Sequence, residues 1–332
     1  MCAFERSEKG MEFFMKKNIC ILIVTFNRKK NLEKLLNSLI CLKEQISGIF
    51  IFDNNSTDGT ADMLKEMNII DYIVKNEVIM KKNNSIDYYY YKNNQNEGGA
   101  KGFHEGLRRI SSMKEFEYVW VMDDDVLPEP DCLEKLMKYQ SENAMITIPN
   151  RTDENFNDKV CIKIDKKNPF KIFMHKKKIL YNNEINEKNY VDVVDMPFEG
   201  PLINCKLIDK IGLPDETYFI QFDDTDYATR AVKFTKIKFI KNATLHKQII
   251  PTNDKKRQMN WKDYYAYRND ILYCRKYGEN IFVKYLTPIL LYVNLMGKAI
   301  IKRKEKNIKV ISRAFYDGYT EKKGKTVEPG EF

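Results

Sequence analysis

Three consecutive aspartates, Asp123, Asp124 and Asp125, close the apolar run Tyr118-Val119-Trp120-Val121-Met122. Neighbouring carboxylates repel one another, so their coexistence requires a cation or a specialised loop. Hard divalent cations take few protein carboxylates together with phosphate oxygens and water, and a D-x-D pair facing a nucleotide diphosphate suits that chemistry. A helix-capping turn is the plainer alternative, because Pro128, Glu129 and Asp131 precede a helix expected over Cys132 to Tyr139. Capping needs one acid there rather than three.

A second acidic cluster, Asp223-Asp224-Thr225-Asp226, follows the aromatic run Tyr218-Phe219-Ile220. It suits the first turn of a helix, where acids complement the dipole, and equally a general base. Glu199, in Pro197-Phe198-Glu199-Gly200, has a similar status. The stretch Gly98-Gly99-Ala100-Lys101-Gly102 fits neither the G-x-x-x-x-G-K-[ST] nor the G-x-G-x-x-G spacing, which argues against an ATPase or a dehydrogenase. It reads as a loop that joins a strand to a helix starting near Phe103. Its glycines would allow a sugar or diphosphate to approach closely, with Lys101 as a nearby cation. His246 is a structural histidine unless the fold brings it to the aspartates, and His104 and His175 have no such support.

These residues need a scaffold. Ile19 to Phe26 is a continuous apolar run rich in β-branched residues, the pattern of a parallel strand covered on both faces. Leu32, Leu35, Leu36 and Leu39 mark a helix over Asn31 to Leu42, and Gly48 to Asp53 a second strand. Further strands are expected at Ile86 to Tyr91, Tyr118 to Met122 and Ile237 to Ile240, all pointing one way. Parallel sheets bind ligands beyond the carboxyl ends of their strands, which gathers Thr25, Phe26, Asn27 and Arg28 with Asp53, Asn54, Asn55 and the three aspartates on one rim. Residues 150–190 read as an insertion of short antiparallel strands. Beyond Asn260 the pattern is helical and aromatic.

The chain has 332 residues, 43% of them hydrophobic, enough for a large α/β core. A net charge of +9, from 56 basic and 47 acidic residues, biases a mixed surface towards anionic partners. No recognition motif accompanies the charge, which argues against nucleic acid. Seven scattered cysteines without a C-x-x-C pair suggest reduced thiols in a cytoplasmic setting. The first 17 residues carry no secretion signal and read as a disordered leader. Tyr285 to Gly297 is uncharged but too short to span a bilayer, and a basic tail follows it. That pairing suits a buried helix or attachment to an anionic membrane surface.

The segments ILIVTFNR, IFDNNSTDGT, NEGGAKGF, VWVMDDDVLPEPDCLEKL, KIGLPDETYFIQFDDTDYATR and LHK follow one another in an order that resembles the family 2 glycosyltransferases. Together with YYAYRNDILYCRKYG, they look most like the branch with bacterial galactofuranosyl- and rhamnosyltransferases. The resemblance implies an α/β GT-A fold: a mostly parallel sheet flanked by helices, with a catalytic domain over 18–255 and a helical C-terminal region over 256–332. Residues 18–125 would form the nucleotide-sugar half and 126–255 the acceptor half. It implies further that Thr25, Phe26, Arg28, Asp53 and Asn55 surround the nucleobase and ribose, and that Gly98, Gly99, Lys101 and Asp124 lie along the donor. Asp123 and Asp125 would hold Mg²⁺ or Mn²⁺ with His246 as a further ligand, and Asp224 or Asp223 would be the base of an inverting transfer. The implied partners are a UDP- or dTDP-sugar and a saccharide or lipid-linked acceptor in bacterial surface polysaccharide synthesis. The C-terminal helices would serve self-association or docking on the inner face of the cell membrane. A catalytically silent binding subunit and a sugar nucleotidyltransferase are the rival readings. The nucleotidyltransferase would want a glycine- and arginine-rich loop near the first strand, which VTFNRKKN does not supply.

Overall fold

The computed structural model describes residues 18–82, 85–154, 156–172, 176–180 (backbone only), 189–249 and 258–332. The expected leader and His175 lie outside these residues. The first strand, β1 (Ile19–Thr25), is buried along its whole length, and α1 (Lys29–Leu39) lays Leu32, Leu35, Leu36 and Leu39 against it. Next come β2 (Gly48–Asp53), α2 (Thr60–Glu66), and a pair of strands, β3 (Val78–Lys81) and β4 (Asp87–Lys92). Helix α3 (Gly98–Met113) leads to β5 (Tyr118–Asp123), which ends on the first aspartate of the triplet. The chain continues through β6 (Val126–Pro128), α4 (Cys132–Met137), β7 (Ile146–Asn150), the β8 (Lys159–Ile164) and β9 (Lys176–Leu180) pair, β10 (Tyr190–Val193) and β11 (Leu202–Asn204). It closes with α5 (Cys205–Ile211), α6 (Asp223–Ala231), β12 (Ile237–Lys247), α7 (Trp261–Tyr277), α8 (Ile281–Ile301) and α9 (Glu305–Tyr319).

The main sheet runs β10-β12-β7-β11-β5-β1-β2-β4-β3, with β6 added to β12. Strands β5, β1, β2 and β4 are mutually parallel, as the continuous apolar runs require. The expectation that all strands point one way fails at β3, β10 and β11, each antiparallel to its neighbours. These strands have three or four residues, too few for an alternation to be legible. The sheet separates two cores. Odd-numbered β1 residues Ile19, Ile21 and Ile23 face α1, α2 and α4, whereas Cys20, Leu22 and Val24 face α3, α5 and α6.

Helix α3 begins at Gly98 rather than near Phe103, so the expected glycine loop is its first turn. The Asn96 side chain accepts the Gly98 N–H at 2.9 Å, a local turn just ahead of the helix. Two of its later glycines serve packing: a Cβ on Gly102 would lie 2.5 Å from Val24 Cγ1, and one on Gly106 would lie 2.3 Å from Leu22 Cδ1. Part of the 150–190 segment is the antiparallel pair β8–β9, as expected, while β7 just before it belongs to the main sheet.

Candidate active site

The carboxyl ends of β1, β2, β5 and β7 converge on one rim. Asp124 is buried and fully engaged there. It accepts from the Thr25 hydroxyl (2.7 Å), the Phe26 N–H (3.4 Å) and Arg28 (2.9 Å). Arg28 also pairs with Asp125 at 2.9 Å, so one guanidinium bridges two of the three aspartates and offsets part of their charge. Asp123 is half-buried, and among the described residues it has no hydrogen-bond or ion-pair partner. Burial pushes its carboxyl well above the ordinary range, and the charges of Glu199, Asp125 and Asp124 push it further.

The β2 end interlocks with the β1 end. Asn27, at φ 51°, accepts the Thr57 N–H at 2.7 Å, and its own N–H donates to Ser56 at 2.9 Å. Asp53 is fully buried, and both of its oxygens are taken: Ser56 N–H donates to one at 2.6 Å and the Tyr90 hydroxyl to the other at 2.7 Å, with Lys92 3.7 Å away. It therefore shapes the turn, with both oxygens held by the protein itself. Asn55, at φ 68°, is half-buried, and the Phe26 ring is exposed.

Opposite the aspartates, Glu199 accepts from Arg151 (2.5 Å) and Lys247 (2.6 Å). Burial opposes its charge, but these two cations outweigh it and hold its carboxyl below the usual value. Arg151 is in turn held by both oxygens of Asp158, at 2.8 and 2.9 Å. A cavity of about 170 Å³ is lined by Arg151, Asp158, Glu199, Asp195 and Asp224. Glu199 thus joins the two acidic clusters, acting on Asp123 by its charge and sharing the cavity with Asp224. Asp223 is turned into the protein, where burial and then the Asp224 charge push its carboxyl well up.

The family pattern described as glycosyl transferase family 2 matches residues 20–211, more than half of the chain. The protein belongs to glycosyl transferase family 2. The dTDP-rhamnosyl transferase RfbF of Shigella flexneri is 27% identical over 229 residues, which cover 66% of this chain and 65% of that relative. Among solved structures, the mannosyltransferase PcManGT from Pyrobaculum calidifontis, bound to GDP-Man and Mn²⁺, superposes with a TM-score of 0.54 at 11% identity, covering 93% of this chain and 89% of that one. Residues 1–349 of S. aureus TarS superpose with a TM-score of 0.51 at 13% identity, covering 92% and 81%. At such identities the likeness is one of fold, and the fold is GT-A.

Two expected site residues of this family 2 member are arranged differently. His246 lies on β12 near the rim, but both ring nitrogens are engaged, Nδ1 with Asp153 (3.0 Å) and Nε2 with Glu129 (2.7 Å). Lys101 pairs with Glu216, so its ammonium is not a free cation for the donor. Among the described residues, the one trio of potential metal ligands gathered within 4.8 Å is His104, Glu105 and Glu216, not Asp123, Asp125 and His246. Sequence reasoning missed Arg151 because β7 went unrecognised; once that strand is placed, the strand-end rule puts Arg151 on the same rim.

Proposed function

We propose that this family 2 protein moves a sugar from a nucleoside diphosphate donor, dTDP-rhamnose being the first candidate, to a saccharide hydroxyl with inversion. The observation that carries this reading is the pair of differently furnished carboxylates around Glu199. Among the described residues Asp123 has no hydrogen-bond or ion-pair partner, and Asp224 borders a polar cavity of about 170 Å³. The relative named as a dTDP-rhamnosyl transferase supports the donor class.

In this reading the acceptor hydroxyl attacks the anomeric carbon from the face opposite the diphosphate, Asp224 takes its proton, and the bond to the diphosphate breaks. Burial and the neighbouring Asp224 charge raise the carboxyl of the inward-turned Asp223, which favours its neutral form and leaves Asp224 as the proposed base. Phe26 offers its exposed ring to the nucleobase, and Asn55 its amide to the ribose. Three acids around Asp123, with Arg28 neutralising only part of their charge, form a hard-oxygen environment that fits a divalent cation. Asp123 and Asp125 would hold Mg²⁺ or Mn²⁺, which supplies charge neutralisation for the departing diphosphate.

The acceptor would be lipid-linked, with the protein docked from the cytosol on an anionic membrane surface. No helix among the described residues is long and apolar enough to cross a membrane. The outer face of α8 nevertheless exposes Ile281, Tyr285, Ile289, Val293 and Ile300, roughly every fourth residue. The α8–α9 turn beside it carries Lys302, Arg303 and Lys304, and Lys306 follows in the first turn of α9. Such a stripe and basic cluster suit an interfacial helix.

Thermal-shift titration with dTDP, UDP, GDP and CDP, each with Mn²⁺ and with a chelator, tests the donor site. A ligand at a hundred times its dissociation constant adds roughly 2.7 kcal/mol of stability. A shift with dTDP that the chelator abolishes is expected; none with any nucleotide would overturn the reading.

A further inference from the structure

We propose that Arg268 and Asn269 of α7 are positioning residues for the general base, acting through the loop Tyr218 to Phe222; this rests on the assignment of Asp224 above. In that loop Phe219, Gln221 and Phe222 have φ of 67°, 64° and 73°, a left-handed backbone that residues with a Cβ rarely adopt. Phe222 is also the N-cap residue of α6, so its conformation aims the first turn that bears Asp223 and Asp224.

The loop is held from α7. The Asn269 side-chain amide nitrogen lies 3.1 Å from Tyr218 O, 2.8 Å from Ile220 O and 3.0 Å from Gln221 O. Arg268 Nη2 donates to Tyr218 O at 2.9 Å, and its Nε donates to Asn269 Oδ1 at 2.9 Å. Arginine has no acceptor, so that contact fixes which end of the Asn269 amide faces the loop. Both side chains are fully buried, and Arg268 is itself anchored on Gly324 O and Thr326. From the other side, Phe219 O accepts the Ala100 N–H at 3.1 Å and lies so near Gly98 that a Cβ there would sit 2.1 Å from it. The same α7 face continues down α6, with Tyr273 bonded to Thr229 (2.7 Å), and Lys276 and Tyr277 to Asp226 (2.7 Å each). One helix face therefore templates the base-bearing turn and joins it to the start of α3.

Contacts of the Asn269 amide nitrogen with three carbonyls of a left-handed loop do more than packing needs, since removing them leaves α7 its aromatic core of Tyr264 and Tyr265. The test measures dTDP-rhamnose hydrolysis with Mn²⁺, the dTDP thermal shift, and hydrogen exchange of the 218–226 peptide. Asn269→Ala should lower kcat about 10- to 100-fold with little change in KM or in the dTDP shift, and should speed exchange in 218–226 but not in α8 and α9. Gln221→Gly in that background should restore part of kcat, because glycine adopts the left-handed conformation freely. Should Asn269→Ala not fold, Asn269→Ser, which keeps one donor, takes its place. An unchanged kcat with unchanged exchange, or no recovery with Gln221→Gly, overturns the proposal. Parental hydrolysis by Asp224→Asn would instead defeat the base assignment, and the exchange measurement would still decide whether the clamp orders the loop.

Discussion

Asp123 and Asp224 are both carboxylates near one rim, yet their surroundings differ, and the proposed roles rest on that difference. Asp123 sits among Glu199, Asp125 and Asp124, where any bound cation relieves repulsion. Asp123→Asn should therefore raise stability of the metal-free protein slightly while abolishing the Mn²⁺ dependence of the dTDP thermal shift. A variant that still showed the Mn²⁺-dependent shift would remove Asp123 from the metal site. Asp224 borders the cavity with Arg151 and Glu199. Asp224→Asn should leave the dTDP shift intact and reduce sugar transfer at least about 100-fold, the contribution expected of a general base. Steady-state kinetics on dTDP-rhamnose checks this, and a parental rate would reject it. The three aspartates and the Asp223–Asp224 pair were legible as residue types at strand and helix ends. Which ones face inward was not: Asp53 and Asp223 are carboxylates at comparable positions, and their burial depends on partners such as Tyr90 far along the chain.

At the scale of elements, α3 lies on β1 through glycines. A Cβ at Gly106 would meet the fully buried Leu22 at 2.3 Å, and the central strand offers no room to retreat. Gly106→Ala should cost a net ~1–2 kcal/mol: overpacking costs ~1–3 kcal/mol, offset in part by up to ~1 kcal/mol of helix propensity. Gly297 in α8 has nothing within 4 Å of its would-be Cβ, so Gly297→Ala should be stabilising by up to ~1 kcal/mol. Urea midpoints at constant slope measure both; equal effects at the two positions would show that propensity alone governs them. Long amphipathic or fully apolar segments such as β1, α1 and β5 could be read ahead of the structure. The three- and four-residue strands could not, because they are strands only through their neighbours' hydrogen bonds.

At the scale of the whole molecule, α7, α8 and α9 form a bundle closed by Asp317, which accepts from Tyr264 at 2.8 Å and Arg313 at 2.6 Å. Burial opposes its charge, but these bonds and the cations Arg313 and Lys322 outweigh it and lower its pKa. A depressed carboxyl contributes stability that is fully present above the unfolded value near 4 and is lost as pH falls through the folded value. Asp317→Asn should cost about 1–3 kcal/mol at pH 7 and flatten the loss of stability between pH 5 and 3. Urea unfolding across that range reads both, and an unchanged acid limb would show that Asp317 is not the group responsible. The exposed α8 stripe makes a separate prediction. The protein should sediment with vesicles containing phosphatidylserine more than with neutral ones, and Val293→Glu should weaken this. Equal sedimentation would argue against an anionic lipid surface, and concentration-dependent self-association would give the stripe to a second copy.

Period and composition carry local information, so β1, β2, β5 and both acidic clusters followed from the order of residues in the chain, whereas the glycine-rich start of α3 reads in the sequence as a loop. The segment that carries the first of those clusters lies within the 20–211 match that places the protein in its family. The partners of those residues did not follow, because they depend on contacts between positions far apart. Arg28 neutralises Asp124 across 96 residues, Glu199 meets Lys247 across 48, and Asn269 reaches back to the loop at Tyr218 across 51. Charge pairing and burial are properties of distance in space, and the folded sheet with its C-terminal helices is what sets those distances.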